Sequence, residues 1–184
     1  MVVTLRAFTR ADLAVSEAWF RDPDTRRYLG GPVWLASMLQ RADQVVGEEF
    51  RGAVQTGVYR YLAQCDGHAF GYVDCGTFDR CTVYGGEGPD RPIITDSTDV
   101  ATGSIAFVVD PAMRCGGLGR AMINALMRQP ELSFVELFEA GVEPENTASR
   151  RCLEAAGFRL RSGQPDCEGM LYDGAEPAAS DRTV

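Results

Sequence analysis

The sequence predicts an α+β domain, on three observations. A strand-like opening runs straight into a capped helix. Two strand-like stretches flank the turn pair Asp66-Gly67. An apolar run of central-strand character then leads through a glycine-rich loop, Arg114 to Met122 (RCGGLGRAM), into a helix. At 184 residues and 45% hydrophobic content the chain suffices for one ordinary core. The expectation is therefore one domain over 1–173 followed by a disordered tail over 174–184 (GAEPAASDRTV).

Taken in order, VVTLRAF alternates as a strand. Thr9, three residues before Asp12, caps an apolar-periodic run through Leu13, Val15, Trp19 and Phe20. Asp22, Pro23 and Asp24 end that helix, residues 26–28 form a short turn, and Gly30-Gly31-Pro32 starts a second helical stretch from about Val33 towards Arg51. Residues 59–63 and 68–75 form a hairpin about Asp66-Gly67. From Gly76 to about Asp99 the composition turns to Gly, Pro, Asp and Thr, a long connection of the kind that carries function. Residues 101–109 form a strand broken by Asp110-Pro111. Leu118 to Met127 form a helix, 134–142 a strand and 147–156 a helix capped by Gly157-Phe158, before a final strand.

Composition removes several function classes. No apolar run spans a bilayer, and the N-terminus lacks a signal-peptide layout, so a soluble, cytoplasmic protein that meets no membrane is expected. The net charge of −8 argues against nucleic acid and suits a cationic small molecule, although it also suits any solvated surface. The six cysteines and single histidine, His68, show no metal-ligand spacing; free thiols and no metal are expected, with His68 exposed beside its turn. All 18 basic residues are arginine, a bias of coding rather than of chemistry.

The glycine loop is not a P-loop, because Gly119 is followed by Arg120-Ala121 and not by Lys-Ser/Thr. It is a poor dinucleotide fingerprint, because Met122 stands where a third glycine belongs. What remains is either a nest of backbone N–H groups at a helix N-terminus, able to take a pyrophosphate, or a turn that merely joins strand to helix.

With the strand before it, the strand after it, Asn146 and the run SRRCLEAAGF, the loop closely resembles the two central motifs of the GNAT N-acetyltransferase superfamily over about Val100 to Phe158. LRAFTRADL and RRYLGGP look like its aminoglycoside and ribosomal-protein branches. The resemblance implies a mixed, mostly antiparallel central sheet splayed at an acetyl-CoA cleft, with helices on both faces. It assigns acetyl-CoA as cosubstrate, its pantetheine on the backbone of Phe107, Val108 and Val109. The pyrophosphate lies over Arg114, Cys115, Gly116, Gly117, Leu118, Gly119 and Arg120, with Cys115 acting through its N–H, and the cysteamine end lies at Asn146 and Ser149. A backbone N–H near Val109 stabilises the oxyanion.

The customary carboxylate base and acid tyrosine of the family fall on Gly141 and Leu153, so neither is present. A thiol leaving group leaves without an acid, whereas the attacking amine still has a proton to lose. Strand alternation places Glu139 and Glu143 on the side of Gly141, which makes Glu139 the first substitute base. Tyr72 and Asp74 share a hairpin face towards the acceptor, and Asp96 and Asp99 stand where the long connection rejoins the sheet; Asp74 and Asp99 follow Glu139 as candidate bases, and any of these carboxylates, Glu139 included, also suits holding a cationic acceptor. Tyr28 and Trp34 complete the acceptor candidates. Each also has a plainer reading: Tyr72 as a half-buried strand aromatic, Trp34 as a core anchor, Glu143 as a solvated charge. The expected activity is transfer of acetyl to an amine of a small cationic acceptor of the aminoglycoside type, kasugamycin among them, by a monomer or homodimer. A protein N-terminal or ribosomal-protein acetyltransferase, and a non-catalytic acetyl-CoA sensor, are the competing readings.

Overall fold

A computed structural model of the chain describes residues 2–41, 44–161 and 163–177. Strand β1 (Val3–Ala7) leads to a helical run of 3-10 turn (Arg10–Asp12), α1 (Leu13–Glu17) and 3-10 turn (Ala18–Arg21). The Thr9–Asp12 cap forms as read. The Asp12 carboxylate accepts from the Thr9 N–H and hydroxyl, each at 2.8 Å, and pairs with Arg6 at 2.6 Å. The Arg6 bond above all lowers its pKa to about 2.

Residues 26–28 are not a turn but lie in α2 (Pro23–Leu29). Asp22 caps this helix by accepting from the Thr25 N–H at 2.9 Å, and Pro23 takes its first position. Helix α3 (Val33–Arg41) starts as expected but stops ten residues short of Arg51, since β2 (Glu49–Phe50) turns back through Gly52 onto the next strand.

Strands β3 (Ala53–Cys65) and β4 (His68–Phe78) form the expected hairpin, with left-handed Asp66 (φ 50°) and Gly67 (φ 82°) at its tip and His68 exposed. The connection expected over 76–99 is itself a hairpin, β5 (Cys81–Glu87) with β6 (Pro92–Thr98), irregular between Val83 and Gly86. There follow β7 (Thr102–Val109), α4 (Leu118–Leu126), β8 (Leu137–Val142), α5 (Thr147–Ala155), β9 (Arg159–Leu160) and β10 (Leu171–Ala175). Strand β10 takes in Gly174 and Ala175, opposite Glu139 and Phe138, so the chain is still ordered in the sheet where the tail was expected to begin. Residues 178–184 of that tail lie outside the described residues.

The main sheet runs β1-β3-β4-β7-β8-β10-β9, with β2 on β3. Every pairing is antiparallel except β7 with β8. One face is covered by α4 and α5 through Leu118, Met122, Ile123, Leu126 and Leu153. The other is covered by α1 to α3 through Trp19, Phe20 and Leu35, which meet Leu62, Tyr72 and Val108. Among the described residues no helix is long and apolar enough to cross a membrane.

Candidate active site

Strands β7 and β8 pair only at Thr102–Leu137, Gly103–Phe138 and Ser104–Glu139. Beyond Ser104 they part, and residues 105–109 face a gap. The Asp110 N–H donates to the Phe70 carbonyl at 2.7 Å, which sets the alternation along β7. Ala106 and Val108 turn their backbone groups to β4, whereas Phe107 and Val109 turn theirs to the gap. Of the three residues expected to meet the cofactor through their backbone, Val108 is therefore corrected. Its N–H and C=O serve the β4 ladder, and its side chain is buried against Tyr72.

The gap runs into the glycine loop. Gly117 (φ 77°) caps α4 in the left-handed region, and Cys115 (φ 67°) lies there too, exposed. The first helical bond is Ala121 N–H to Gly117 O at 3.0 Å, which leaves the N–H groups of Leu118, Gly119 and Arg120 without intrahelical partners at the positive end of the helix. A Cβ added at Gly116 or Gly117 would meet nothing within 4 Å, so the space over these amides is open to an anion. Leu118 presents only its N–H, since its side chain is in the core. Gly119 has a second reason to be glycine. A Cβ there would stand 2.6 Å from Cys152 Sγ, so its absence lets α4 and α5 close on one another.

Arg114 is not a free phosphate ligand. It donates to Asp22 Oδ2 at 2.9 Å, to Thr25 Oγ1 at 2.6 Å and to the Val109 carbonyl at 3.4 Å, so its charge is spent in fixing the loop to α2. Arg120 remains exposed at the loop. Across the gap, Asn146 caps α5 by accepting from the Ser149 N–H at 3.2 Å. A group with a pyrophosphate and an extended amide arm fits these residues: free N–H groups at one end, the backbone of Phe107 and the N–H of Val109 turned to the gap, and open space above the glycines.

On the side of α1 to α3 the sheet presents the acid–base candidates. Cross-strand neighbours share a face, so Gly76, Ser104 and Glu139 form one row, and Arg60, Asp74 and Ala106 form the next. The structure thus brings Asp74 and Glu139 onto one face beside the gap. Asp74 is 8% exposed and accepts the Tyr72 hydroxyl at 2.8 Å. Burial raises its pKa to about 6, while the Tyr72 bond and Arg60 hold it from rising further.

Glu139 also has its pKa raised by burial, opposed by Arg161, whose Nη1 lies 3.1 Å from Oε2. The missing base position is filled from elsewhere: the Tyr172 ring stands 3.3 Å from where a Cβ of Gly141 would be, and burial raises that phenol to about 12.

The acceptor candidates divide. Tyr72 is fully buried against Phe8 and Trp34, so it acts on the site only through Asp74. Trp34 anchors α3 between Phe20 and Tyr72. Trp34 is thus a core anchor, and Tyr72 is buried more deeply than the half-buried strand aromatic of its plainer reading, because α1 to α3 cover this part of the sheet. Tyr28 lies on α2 under the Arg27 guanidinium. Asp96 accepts from the Ser97 N–H, and Asp99, with a side chain 93% exposed, pairs with Arg80 at 3.6 Å; their partners belong to the hairpin and not to the gap. Arg60, Cys81, Arg161 and Tyr172, which do line this face, escaped the sequence reading, since no motif marks them.

A family model described as an acetyltransferase (GNAT) domain matches residues 3–159. An uncharacterized N-acetyltransferase of Bacillus subtilis (strain 168), YfmK, is 26% identical over 160 residues, 87% of each chain. Among solved structures, the aminoglycoside acetyltransferase AAC(6')-Ib in complex with coenzyme A matches with a TM-score of 0.66 and 24% identity over 95% of each chain. Spermidine N-acetyltransferase from Vibrio cholerae in complex with CoA and spermine matches with a TM-score of 0.59 and 13% identity, again over 95% of each chain. These structural likenesses speak for the fold. The family match, which takes in both the parted strands and the glycine loop, is what establishes that the chain belongs to the GNAT family and is an acetyl-CoA-dependent N-acetyltransferase.

Proposed function

We propose that the enzyme acetylates a primary amine of a small cationic acceptor, an aminoglycoside-type antibiotic foremost, with Asp74 as the proton acceptor. The observation that carries this reading is the pair of carboxylates, buried Asp74 and half-buried Glu139, on the face beside the gap. The acidity of the chain and the cationic ligands named for the similar solved structures, kanamycin and spermine, support it.

Acetyl-CoA supplies an activated acyl carbon and a thiol leaving group. The N–H groups of Cys115 to Arg120 hold its pyrophosphate, the backbone of Phe107 aligns its arm, and Asn146 and Ser149 flank the other wall of the gap. The Val109 N–H donates to the acyl oxygen as negative charge builds there. Asp74, ionised at neutral pH, takes the proton of the attacking amine directly or through one water, and the Tyr72 hydroxyl fixes its carboxylate. Glu139 ranks behind Asp74 as base, because Arg161 already holds its carboxylate and favours the charged form.

A thiol-release assay over kanamycin, kasugamycin, spermidine and N-terminal peptides tests the reading. Turnover of the cationic small molecules is expected. Turnover of the peptides alone would transfer the enzyme to protein acceptors, and acetyl-CoA binding with no turnover of any of the cationic small molecules would overturn the acceptor reading. Shortening the β5–β6 hairpin by its tip, residues 85–91, is expected to raise the acceptor KM on the order of tenfold while acetyl-CoA affinity holds. Equal losses for both substrates would show the hairpin to be only structural.

A further inference from the structure

Arg161 approaches the gap from the far edge of the sheet. Its N–H donates to the Tyr172 carbonyl at 2.9 Å, and its side chain crosses β10 over Gly174, where a Cβ would stand 2.9 Å from Arg161 Cδ. Gly174 is the cross-strand partner of Glu139, so the bare strand at 174 is the path by which the guanidinium reaches that carboxylate. At the end of the path Nη1 lies 3.1 Å from Glu139 Oε2 and 3.1 Å from Cys81 Sγ.

Glu139 stands on the last rung before β7 and β8 part. A cation held there sits at the mouth of the gap, beside Asp74 in the neighbouring row. The Glu139 side chain is 16% exposed and, when charged, requires a cationic partner. The Arg161 side chain is 37% exposed, so it can leave for water without opening the core. The contact therefore joins a carboxylate that must be paired to a cation that is free to go.

We propose that Arg161 occupies the acceptor's cation subsite in the resting enzyme, and that an ammonium or guanidinium group of the acceptor exchanges with it on Glu139. The proposal rests on the cationic-acceptor reading and sharpens it. The exchange conserves one ion pair on Glu139. The amine that attacks must be neutral, so the group that displaces Arg161 is a second one. A monoamine has none to offer, and the enzyme selects acceptors with at least two basic groups.

The test is Arg161→Gln, which keeps a polar stem over Gly174 and removes the charge. The kanamycin KM is expected to fall about 2- to 5-fold, the range of one part-exposed ion pair, with the acetyl-CoA KM unchanged. Arg161→Lys should stay near wild type. Methylguanidinium should compete with kanamycin in Arg161→Gln but not in wild type. It should also raise the melting temperature of the variant alone, a readout that needs no turnover. A higher kanamycin KM in Arg161→Gln, or a methylguanidinium effect that is the same in both proteins, would overturn the proposal. If no cationic acceptor is turned over yet methylguanidinium still stabilises only the variant, the subsite stands and the acceptor reading falls.

Discussion

Asp74→Asn is expected to lower kcat by about 10²- to 10⁴-fold at neutral pH while the acetyl-CoA KM changes little, because a general base acts on the reacting proton and not on cofactor binding. The pH dependence carries the assignment. With a pKa of about 6, Asp74 is an effective base above that pH, so wild-type kcat at saturating acceptor should fall as the pH drops through 6. Tyr72→Phe removes a bond that favours the charged carboxylate and should move that acid limb to higher pH.

Stability should move the other way. A carboxyl whose folded pKa lies above its unfolded value stabilises the fold below the unfolded pKa, and that contribution is lost as pH rises through the folded one. The melting temperature of Asp74→Asn relative to wild type should therefore climb between pH 4 and pH 7. An Asp74→Asn enzyme with wild-type kcat and an unchanged acid limb would return the base role to Glu139 or to solvent.

Two glycines in one loop should fail differently. Gly117→Val places a side chain in open space, so packing tolerates it, but at φ 77° the left-handed backbone costs an L-residue about 1–2 kcal/mol, and the Cβ stands where phosphate oxygens approach the amides. Acetyl-CoA affinity should drop on the order of 100-fold in calorimetry, with a modest loss of melting temperature. Gly119→Val drives a side chain into Cys152 Sγ, an overpacking worth about 1–3 kcal/mol and a fall of about 3–10 °C. Cys152→Ala in the same chain should return part of that loss. A Gly117→Val protein that binds acetyl-CoA normally would remove the amide nest from the site.

The parts of the fold legible in the sequence are those specified locally. Asp66-Gly67 permits two successive left-handed residues and so fixes the β3–β4 hairpin. The glycine loop and Asn146 mark two helix starts that need no distant partner. The errors have physical causes. Asp22-Pro23 marks a helix boundary without saying on which side the next helix lies, since a cap and an N1 proline both follow one helix and begin another. The β5–β6 hairpin was hidden because its bulges between Val83 and Gly86 break the period of two. The candidate site was half legible. The cofactor side is backbone chemistry set by glycines, whereas the acceptor side depends on contacts such as Arg161 with Glu139 and Cys81 that only the folded sheet creates.

The Arg114 clamp has a thermodynamic consequence. One guanidinium joins the carbonyl of Val109 to the cap of α2, the helix that leads into the cover over Tyr72 and Asp74. Cofactor loop and acceptor cover thus share a single fastener, and whatever free energy one ligand contributes to ordering that fastener is felt equally by the other. Cooperativity between the two substrates, if the clamp transmits it, must be reciprocal: the factor by which acetyl-CoA tightens the acceptor is the factor by which the acceptor tightens acetyl-CoA, and cutting the clamp returns both to one.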